Sequence, residues 1–510
     1  MLVNYFFPIK FKSWDWLRLL PIVYISGGVL FCAILDVLSW LGWLYPELGN
    51  IFVVVLSLIW LAVVVYSLPA AVGLLLAELV IGSLGHNFNF VWQSYSLPWR
   101  YILFILAVAW MVLQLWDKRQ LRQLDKKEWY WFGLMGAAIF YGLLVGWWRH
   151  NGFSNIFLDV NGYLYLLLWP LFWLVSRQSN WFRTIRFILL PAVLWLAFKT
   201  IFTFYLFSHY PSADLWLYYR WWRDTGFGEI TLLRGNYYRI FSQSQLWSGA
   251  AFLAGLVYWL KIPSGLKQFW HQRLTTGGFL LLNLMAVLIS LSRSLWLGLA
   301  VGLVWLFYWV GRSWGWRRVG NLLVSLVGLL LLSWLGIQVI LRWPWPPVNP
   351  NLVQGTLLDR FSQDEAAGIS RLQLLGPLWQ GIVQHSLSGN GFGSMITYHT
   401  SDPRIVSSTA GGSGIVSTFA FEWGFLDLWY KLGLLAMFIF LIFFLRLLWL
   451  FILQNRNKPV SLNSLLASLP LIFVLVTNLT TPYLNHPLGL GILMLVLALT
   501  IYQPSSVDYV

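Results

Sequence analysis

Eight arginines, one glutamate and one histidine are the groups in this sequence best suited to chemistry. Arg220, Arg223, Arg234 and Arg239 cluster in one polar stretch, and Arg360, Arg371 and Arg404 fall in another. Arg293 interrupts the apolar run from Gly277 to Val310, in "ISLSRSLWLG". A guanidinium offers a rigid fork of donors that matches phosphate and carboxylate oxygens in pairs. A set of arginines with few companion lysines therefore points to an anionic ligand such as a lipid-linked diphosphate. The plainer alternative is pairing with Asp214, Asp224, Glu229, Asp359, Asp364 or Glu365, or snorkelling to headgroups. Transfer to a hydroxyl acceptor also needs a general base. Glu422 in "FAFEWGF" and His399 in "TYHTSD" are the candidates. Glu422 precedes a long apolar segment, where desolvation favours the neutral carboxyl; its alternative is an ion pair with Lys431 or an arginine. For His399 the alternative is a solvated loop residue.

Other chemistries find no support. The seven histidines show no HExxH spacing, and there is no P-loop. "GNGFGSM" (389–395) contains GxGxG but follows no strand of a βαβ unit. It reads as a tight turn whose backbone amides could face an anion. "RIFSQSQLWSG" (239–249) and "RLQLLGPLWQG" (371–381) both read as an arginine opening a helix with a glycine ten positions on. Cys32 is the single cysteine, so neither an intrachain disulfide nor a cysteine metal cluster is available.

These residues must be positioned by membrane helices. Only 10% of the 510 residues are charged and 59% are hydrophobic, whereas soluble domains carry about 25% charged residues. Mean hydropathy is +0.69. A span needs roughly 20 apolar residues, with a lower limit near 17. The pattern predicts an all-α polytopic protein with about fourteen spans near 20–42, 51–66, 68–85, 99–116, 129–147, 156–176, 187–207, 241–260, 276–292, 295–311, 320–341, 426–450, 463–480 and 487–503. The whole of 1–510 then forms a single membrane domain, and its first span does not read as a cleaved signal.

Charge orients it. With both termini inside, six inner segments near 10–18, 118–127, 177–186, 261–273, 312–318 and 446–458 hold twenty of the 33 lysines and arginines. The positive-inside rule expects this bias. It also accounts for the net charge of +15 without a nucleic-acid partner. Two outer loops are long, a medium one at 208–240 and a large one at 342–425, and the arginines and candidate bases lie in or beside them. Glu78, Asp159 and Lys199 sit in or beside spans, where ionisable groups are functional candidates or structural pairs.

Four blocks resemble the O-antigen ligase and O-antigen polymerase superfamily of bacterial membrane glycosyltransferases. They are "LLRGNYYRIFSQSQLW" (232–247), "LISLSRSLWLGLAVGL" (288–303), "GISRLQLLGPLWQGIVQHSLSGNGFGSM" (368–395) and "FEWGFLDLWYKLGLLAMF" (421–438). Together they mark a core over 232–450. The resemblance implies a multi-pass enzyme of the cytoplasmic (inner) membrane that transfers or polymerises glycan at the outer face, without metal or cofactor. Its donor would be an undecaprenyl-diphosphate-linked glycan, and its acceptor a glycan or a lipid-linked molecule. Arg234 or Arg239, Arg293 and Arg371 would bind the diphosphate, and Glu422 or His399 would activate the acceptor. Ligases of the family carry a His-Asn pair ahead of the helix that follows the large loop. Here that region reads "STAGGSGIVSTFAFEWG", so the resemblance leans to a polymerase. The rival reading is a transporter or flippase for an anion or a lipid-linked sugar. It would use Glu78, Asp159 and Lys199, and such proteins often show a structural repeat, of which the sequence has no trace.

Overall fold

The computed structural model describes residues 14–116, 126–234, 237–262, 268–343, 366–407 and 412–501. Arg360 lies outside the described residues, as do the side chains of Arg234 and Arg404. The protein is an all-α bundle carrying three short hairpins. Its helices are α1 (Trp14–Leu44), α2 (Pro46–Tyr66), α3 (Leu68–Gly82), α4 (Trp99–Trp116), α5 (Lys126–Trp148), α6 (Phe153–Val160), α7 (Trp169–Ser176), α8 (Trp181–His209) and α9 (Trp216–Asp224), followed by α10 (Gln245–Lys261), α11 (Gln268–Ser290), α12 (Arg293–Trp314), α13 (Trp316–Arg342), α14 (Ala366–Gln384), α15 (Pro403–Val406), α16 (Gly424–Asn455), α17 (Leu462–Thr477) and α18 (Pro487–Ile501). The hairpins are β1 (Asn89–Trp92) with β2 (Tyr95–Pro98), β3 (Gly228–Arg234) with β4 (Tyr237–Ser242), and β5 (Ile396–His399) with β6 (Ile415–Thr418), each antiparallel.

Among the described residues, nine helices are long and apolar enough to cross a membrane: α1, α2, α4, α5, α8, α11, α12, α13 and α16. The chain is thus a multi-pass membrane protein. The remaining predicted spans fall on other elements. Those at 68–85, 241–260, 463–480 and 487–503 coincide with α3, α10, α17 and α18, of 15, 17, 16 and 15 residues. At 1.5 Å per residue these run roughly 22–26 Å, short of a hydrocarbon core about 30 Å thick. They can be short because they lie inside the bundle: nearly every residue of α3 and α17 is buried by other helices. The predicted span 156–176 is broken, with α6 meeting the segment Tyr163–Ser176 at 45°.

The two ends of the bundle are sorted as the charge pattern expects. At one end, Leu84 N–H donates to the Gly226 carbonyl (3.2 Å), Thr481 to Ser294 (3.1 Å) and Asn485 to Asp427 (3.3 Å). Each bond joins segments read as outer. At the other end, Arg312 donates to the Arg456 carbonyl (2.7 Å), Arg186 to Tyr258 (3.1 Å), and Arg446 pairs with Glu128. Each of these joins segments read as inner.

"GNGFGSM" is a plug, not an anion cradle. The amides of Asn390, Gly391 and Phe392 donate to the carbonyls of Tyr430, Lys431 and Gly142 at 2.7, 2.9 and 3.1 Å, and that of Gly393 to the Asp159 carboxylate at 2.8 Å. Phe392 is fully buried against Tyr163. Gly391 has φ +77°, and a Cβ there would strike the Gly146 backbone. Gly391→Ala is expected to destabilise the protein by roughly 2–5 kcal/mol, from left-handed strain plus overpacking. Thermal unfolding in detergent measures it; an unchanged midpoint would mean that the turn is not wedged between α5 and α16.

Candidate functional site

The described residues between α13 and α16 form a cap with its own small core. Leu374, Leu378 and Ile382 of α14 pack with Ile396 and Tyr398 of β5 and with Phe421 and Tyr430 at the entry to α16. Polar bonds fix the hairpin to α14: Ser370 with Tyr398 at 2.9 Å, and Gln373 with Ser401 at 3.0 Å through both its amide nitrogen and its oxygen. The α16 entry is tied down as well. The Trp423 indole donates to the Arg371 carbonyl (3.1 Å), and Gly424 N–H to the Asn478 carbonyl (3.1 Å).

This framework sets Arg371 beside Glu422. The guanidinium Nε pairs with Glu422 Oε2, and an Nη lies 3.4 Å from Oε1. Glu422 is therefore not a desolvated carboxyl; its side chain is 47% exposed and held by an arginine. Arg371 is not at the start of its helix either, since α14 begins at Ala366. Arg239 departs further from the expected helix start, lying on strand β4, with α10 beginning six residues later. The hairpin exists because Gln245 closes it: its side-chain amide accepts from Ser242 N–H (3.0 Å) and donates to the carbonyls of Ile240 (3.1 Å) and Ala286 (3.3 Å).

Arg239 Nε donates to the carbonyl of Ser290 at 2.8 Å, and the guanidinium stands over the Phe241 ring at 4.7 Å. Ser290 ends α11, and the turn that follows is strained. Leu291 holds φ +48°, a conformation uncommon for a branched side chain. The turn sets Arg293 as the first residue of α12. From there its guanidinium reaches α14, 3.8 Å from the place a Cβ would take on Gly368, one turn from Arg371. Arg293 and Arg371 are close enough to repel each other.

Tyr483 links the third arginine to these two. It lies in the connection between α17 and α18, which is held to the Arg293 turn by the Thr481–Ser294 bond. The ring is 2% exposed, and its hydroxyl has no hydrogen-bond partner among the described residues. Burial pushes this phenol up, and Arg239 and Arg371 are the charges that pull it back. Arg239 and Arg371 are thus within electrostatic reach of one buried hydroxyl that has no hydrogen-bond partner among the described residues, and Arg371 is in turn close to Arg293.

The other sequence candidates lie elsewhere. His399 is exposed, on the opposite face of β5 from Tyr398, which packs on α14. Arg220 lies 3.9 Å from Asp224, and Arg223 donates to Tyr219 (3.0 Å), so both are engaged on their own helix α9. Glu78, Asp159 and Lys199 are all in buried ion pairs: Glu78 with Arg100 at 2.8 Å, Lys199 with Asp36 at 2.9 Å, and Asp159 with Lys431 at 2.6 Å. Lys431 also meets Asp427 at 2.5 Å. Glu422 pairs with the arginine of its two anticipated partners, and Lys431 serves Asp159 and Asp427.

Sequence reasoning missed Tyr483, because one tyrosine in a short polar connection carries no signal. It also missed Arg149, which donates to the Asn390 side chain at 3.1 Å. The polar break "TNLTTPYLNHP" before the last helix is the feature that could have drawn attention to Tyr483. Among the described residues no three His, Cys, Asp or Glu side chains are grouped to hold a metal ion. No protein-family model, curated protein or solved structure matches this chain.

Proposed function

We propose that the protein is a membrane glycosyltransferase of the O-antigen polymerase or ligase type, with polymerase preferred. The chain crosses the cytoplasmic membrane fourteen times with both termini inside, and it acts on an undecaprenyl-diphosphate-linked glycan at the outer face. The observation that carries this reading is the approach of Arg293 from α12 to Arg371 of α14, beside Glu422, with Arg239 and Arg371 within electrostatic reach of the buried Tyr483 hydroxyl. Arg293 and Arg371 are close enough to repel, while Arg371 pairs with Glu422 and Arg239 lies 3.9 Å from Glu229; a diphosphate offers oxygens for several such forks.

In this mechanism the donor diphosphate competes with Glu422 for Arg371 and frees the carboxylate. Glu422 takes the proton from an acceptor hydroxyl. The oxygen attacks the anomeric carbon, and the bond to the diphosphate breaks with its electron pair leaving on undecaprenyl diphosphate. The arginines stabilise that developing charge. Arg239 is preferred to Arg234 as the third arginine because it bonds the Ser290 carbonyl at the turn that sets Arg293, and Glu422 to His399 as the base because it pairs with Arg371. Glu78, Asp159 and Lys199, the residues a transport reading would use, are held in buried ion pairs.

Glycan profiling tests the proposal. A deletion strain of the source organism is complemented with the wild type, Arg293→Ala, Arg371→Ala or Glu422→Ala. A polymerase predicts surface chains reduced to a single repeat in the deletion and in the arginine variants. Full-length chains accumulating on the lipid carrier would instead identify a ligase. Unchanged surface polysaccharide would overturn the enzyme reading.

A further inference from the structure

A second feature lies in the half of the bundle away from the arginine site. An apolar, partly open cavity of about 640 Å³ runs between α1, α8, α10, α11, α17 and α18. Its walls include Phe187, Val193, Ala254, Leu282 and Val496. Ligand cavities commonly measure roughly 300–1,000 Å³, so this one has room for an aliphatic chain. Its one charged lining residue is Arg186. An Nη of Arg186 donates to the Tyr258 hydroxyl at 3.1 Å, while its Nε is buried without a hydrogen-bond partner. Leaving a buried charged donor unpaired is costly, which favours an acceptor from outside the protein.

Charge identifies the acceptor. Arg183, Lys261 and Arg273 stand beside Arg186 on the same ends of α8, α10 and α11, over the rings of Phe187, Tyr258 and Trp259 at 5.7, 6.0 and 5.9 Å. Across α8, α10, α11, α17 and α18 there is no Asp or Glu. Of the two acids of α1, Asp36 is already paired with Lys199, and the side chain of Asp15 lies outside the described residues. Nothing in these five helices can neutralise the four cations, of which Arg186 lines the apolar cavity and Arg183 and Lys261 stand over two of its lining rings, Phe187 and Tyr258. A phosphate with net negative charge on a hydrocarbon chain satisfies both halves of the site.

We propose that this cavity binds one anionic phospholipid from the leaflet on the basic side, with its phosphate on Arg186 and an acyl chain in the cavity. The site is separate from the arginine group at the opposite end and does not depend on the glycosyltransferase reading. Native mass spectrometry of the full chain, delipidated in detergent and titrated with phosphatidylglycerol or phosphatidylcholine of identical chains, tests it. Wild type should retain one phosphatidylglycerol with at least about tenfold preference, or about 1.4 kcal/mol, because both lipids offer the phosphate but the choline cation is repelled by the neighbouring basic residues. Arg186→Leu should abolish that preference, and Arg186→Lys should keep part of it. Ala254→Trp, which fills the cavity, should weaken both lipids while Arg186 remains in place. Equal retention of the two lipids by wild type overturns the proposal, even if Arg186→Leu fails to fold. So does tight phosphatidylglycerol retention by Ala254→Trp, or its displacement by an undecaprenyl phosphate carrier added at equal concentration.

Discussion

Under the proposed glycosyltransferase function, replacing Arg293 or Arg371 by alanine is expected to slow glycan transfer by about 10²–10³-fold, the loss typical when one preorganised donor to a developing charge is removed. The two side chains come from distant parts of the chain, α12 and α14, and meet close enough to repel. Arg293 also opens a helix, whose N-terminal dipole already disfavours a cation. Glu422 offsets part of the cost of holding the two cations together, and a bound anion takes over that role in the proposed mechanism. Lysine at either position keeps the charge and loses the fork, so Arg→Lys variants should fall between wild type and alanine. The measurement is turnover of a lipid-diphosphate-linked saccharide by the purified protein in nanodiscs, with size-exclusion profiles to confirm folding. Wild-type turnover by Arg293→Ala would remove the diphosphate role. Glu422→Gln separates two functions of that residue: a base loses turnover with the donor still binding, whereas a mere partner of Arg371 loses little of either.

The largest stability effect is expected at Lys431. Its ammonium lies 2.6 Å from Asp159 and 2.5 Å from Asp427, and all three side chains are almost completely buried. Asp159 additionally accepts from Gly393 N–H, and Asp427 from Asn485. The triad therefore ties the α6 segment, the glycine turn, α16 and the α17–α18 connection into one unit. Removing the central cation leaves two carboxylates facing each other in a dry site. Lys431→Met should destabilise by about 3–5 kcal/mol, the cost of orphaning a buried charge. The double replacement Asp427→Asn with Lys431→Met should recover part of the loss, because one uncompensated charge goes with the other. Thermal unfolding of the two variants decides; equal midpoints for Lys431→Met and wild type would show that the triad does not hold these elements together. Its position behind the α16 entry also predicts that the loss is felt at Glu422, through Gly424 and Asn478.

Much of the architecture was legible because a bilayer imposes one dominant rule. Apolar length predicts where helices run, and the lysine and arginine bias predicts which connections share an end. The structure joins Ser294 to Thr481 at one end and Arg312 to Arg456 at the other, in the groups that bias assigns. What length could not reveal is that α3 and α17 are short because neighbouring helices cover them. Composition sees only how apolar a segment is, and a helix sheathed by protein can be as apolar as one that meets lipid. The hairpins were equally hidden. "YYRIFS" reads as the approach to a helix, and it becomes a strand because Gln245 and Ser242 close the hairpin against α11.

By itself the sequence determined a multi-pass membrane protein and an arginine-rich end, since both follow from residue type and local density. It also supplied Arg239, Arg293, Arg371 and Glu422 as candidates. Only the tertiary structure decided which groups meet, because contacts across 51 positions of chain, from Arg239 to Ser290 and from Arg371 to Glu422, are made by packing and not by spacing. It took His399 to the outer face of a strand and gave the amides of "GNGFGSM" to a plug. It resolved Glu78, Asp159 and Lys199 into ion pairs, and it brought in Tyr483, a residue without a motif. Arg293, which composition alone would strand in hydrocarbon, is tolerable because the strained turn at Leu291 delivers it to the end of the bundle, beside Gly368 and within reach of Arg371.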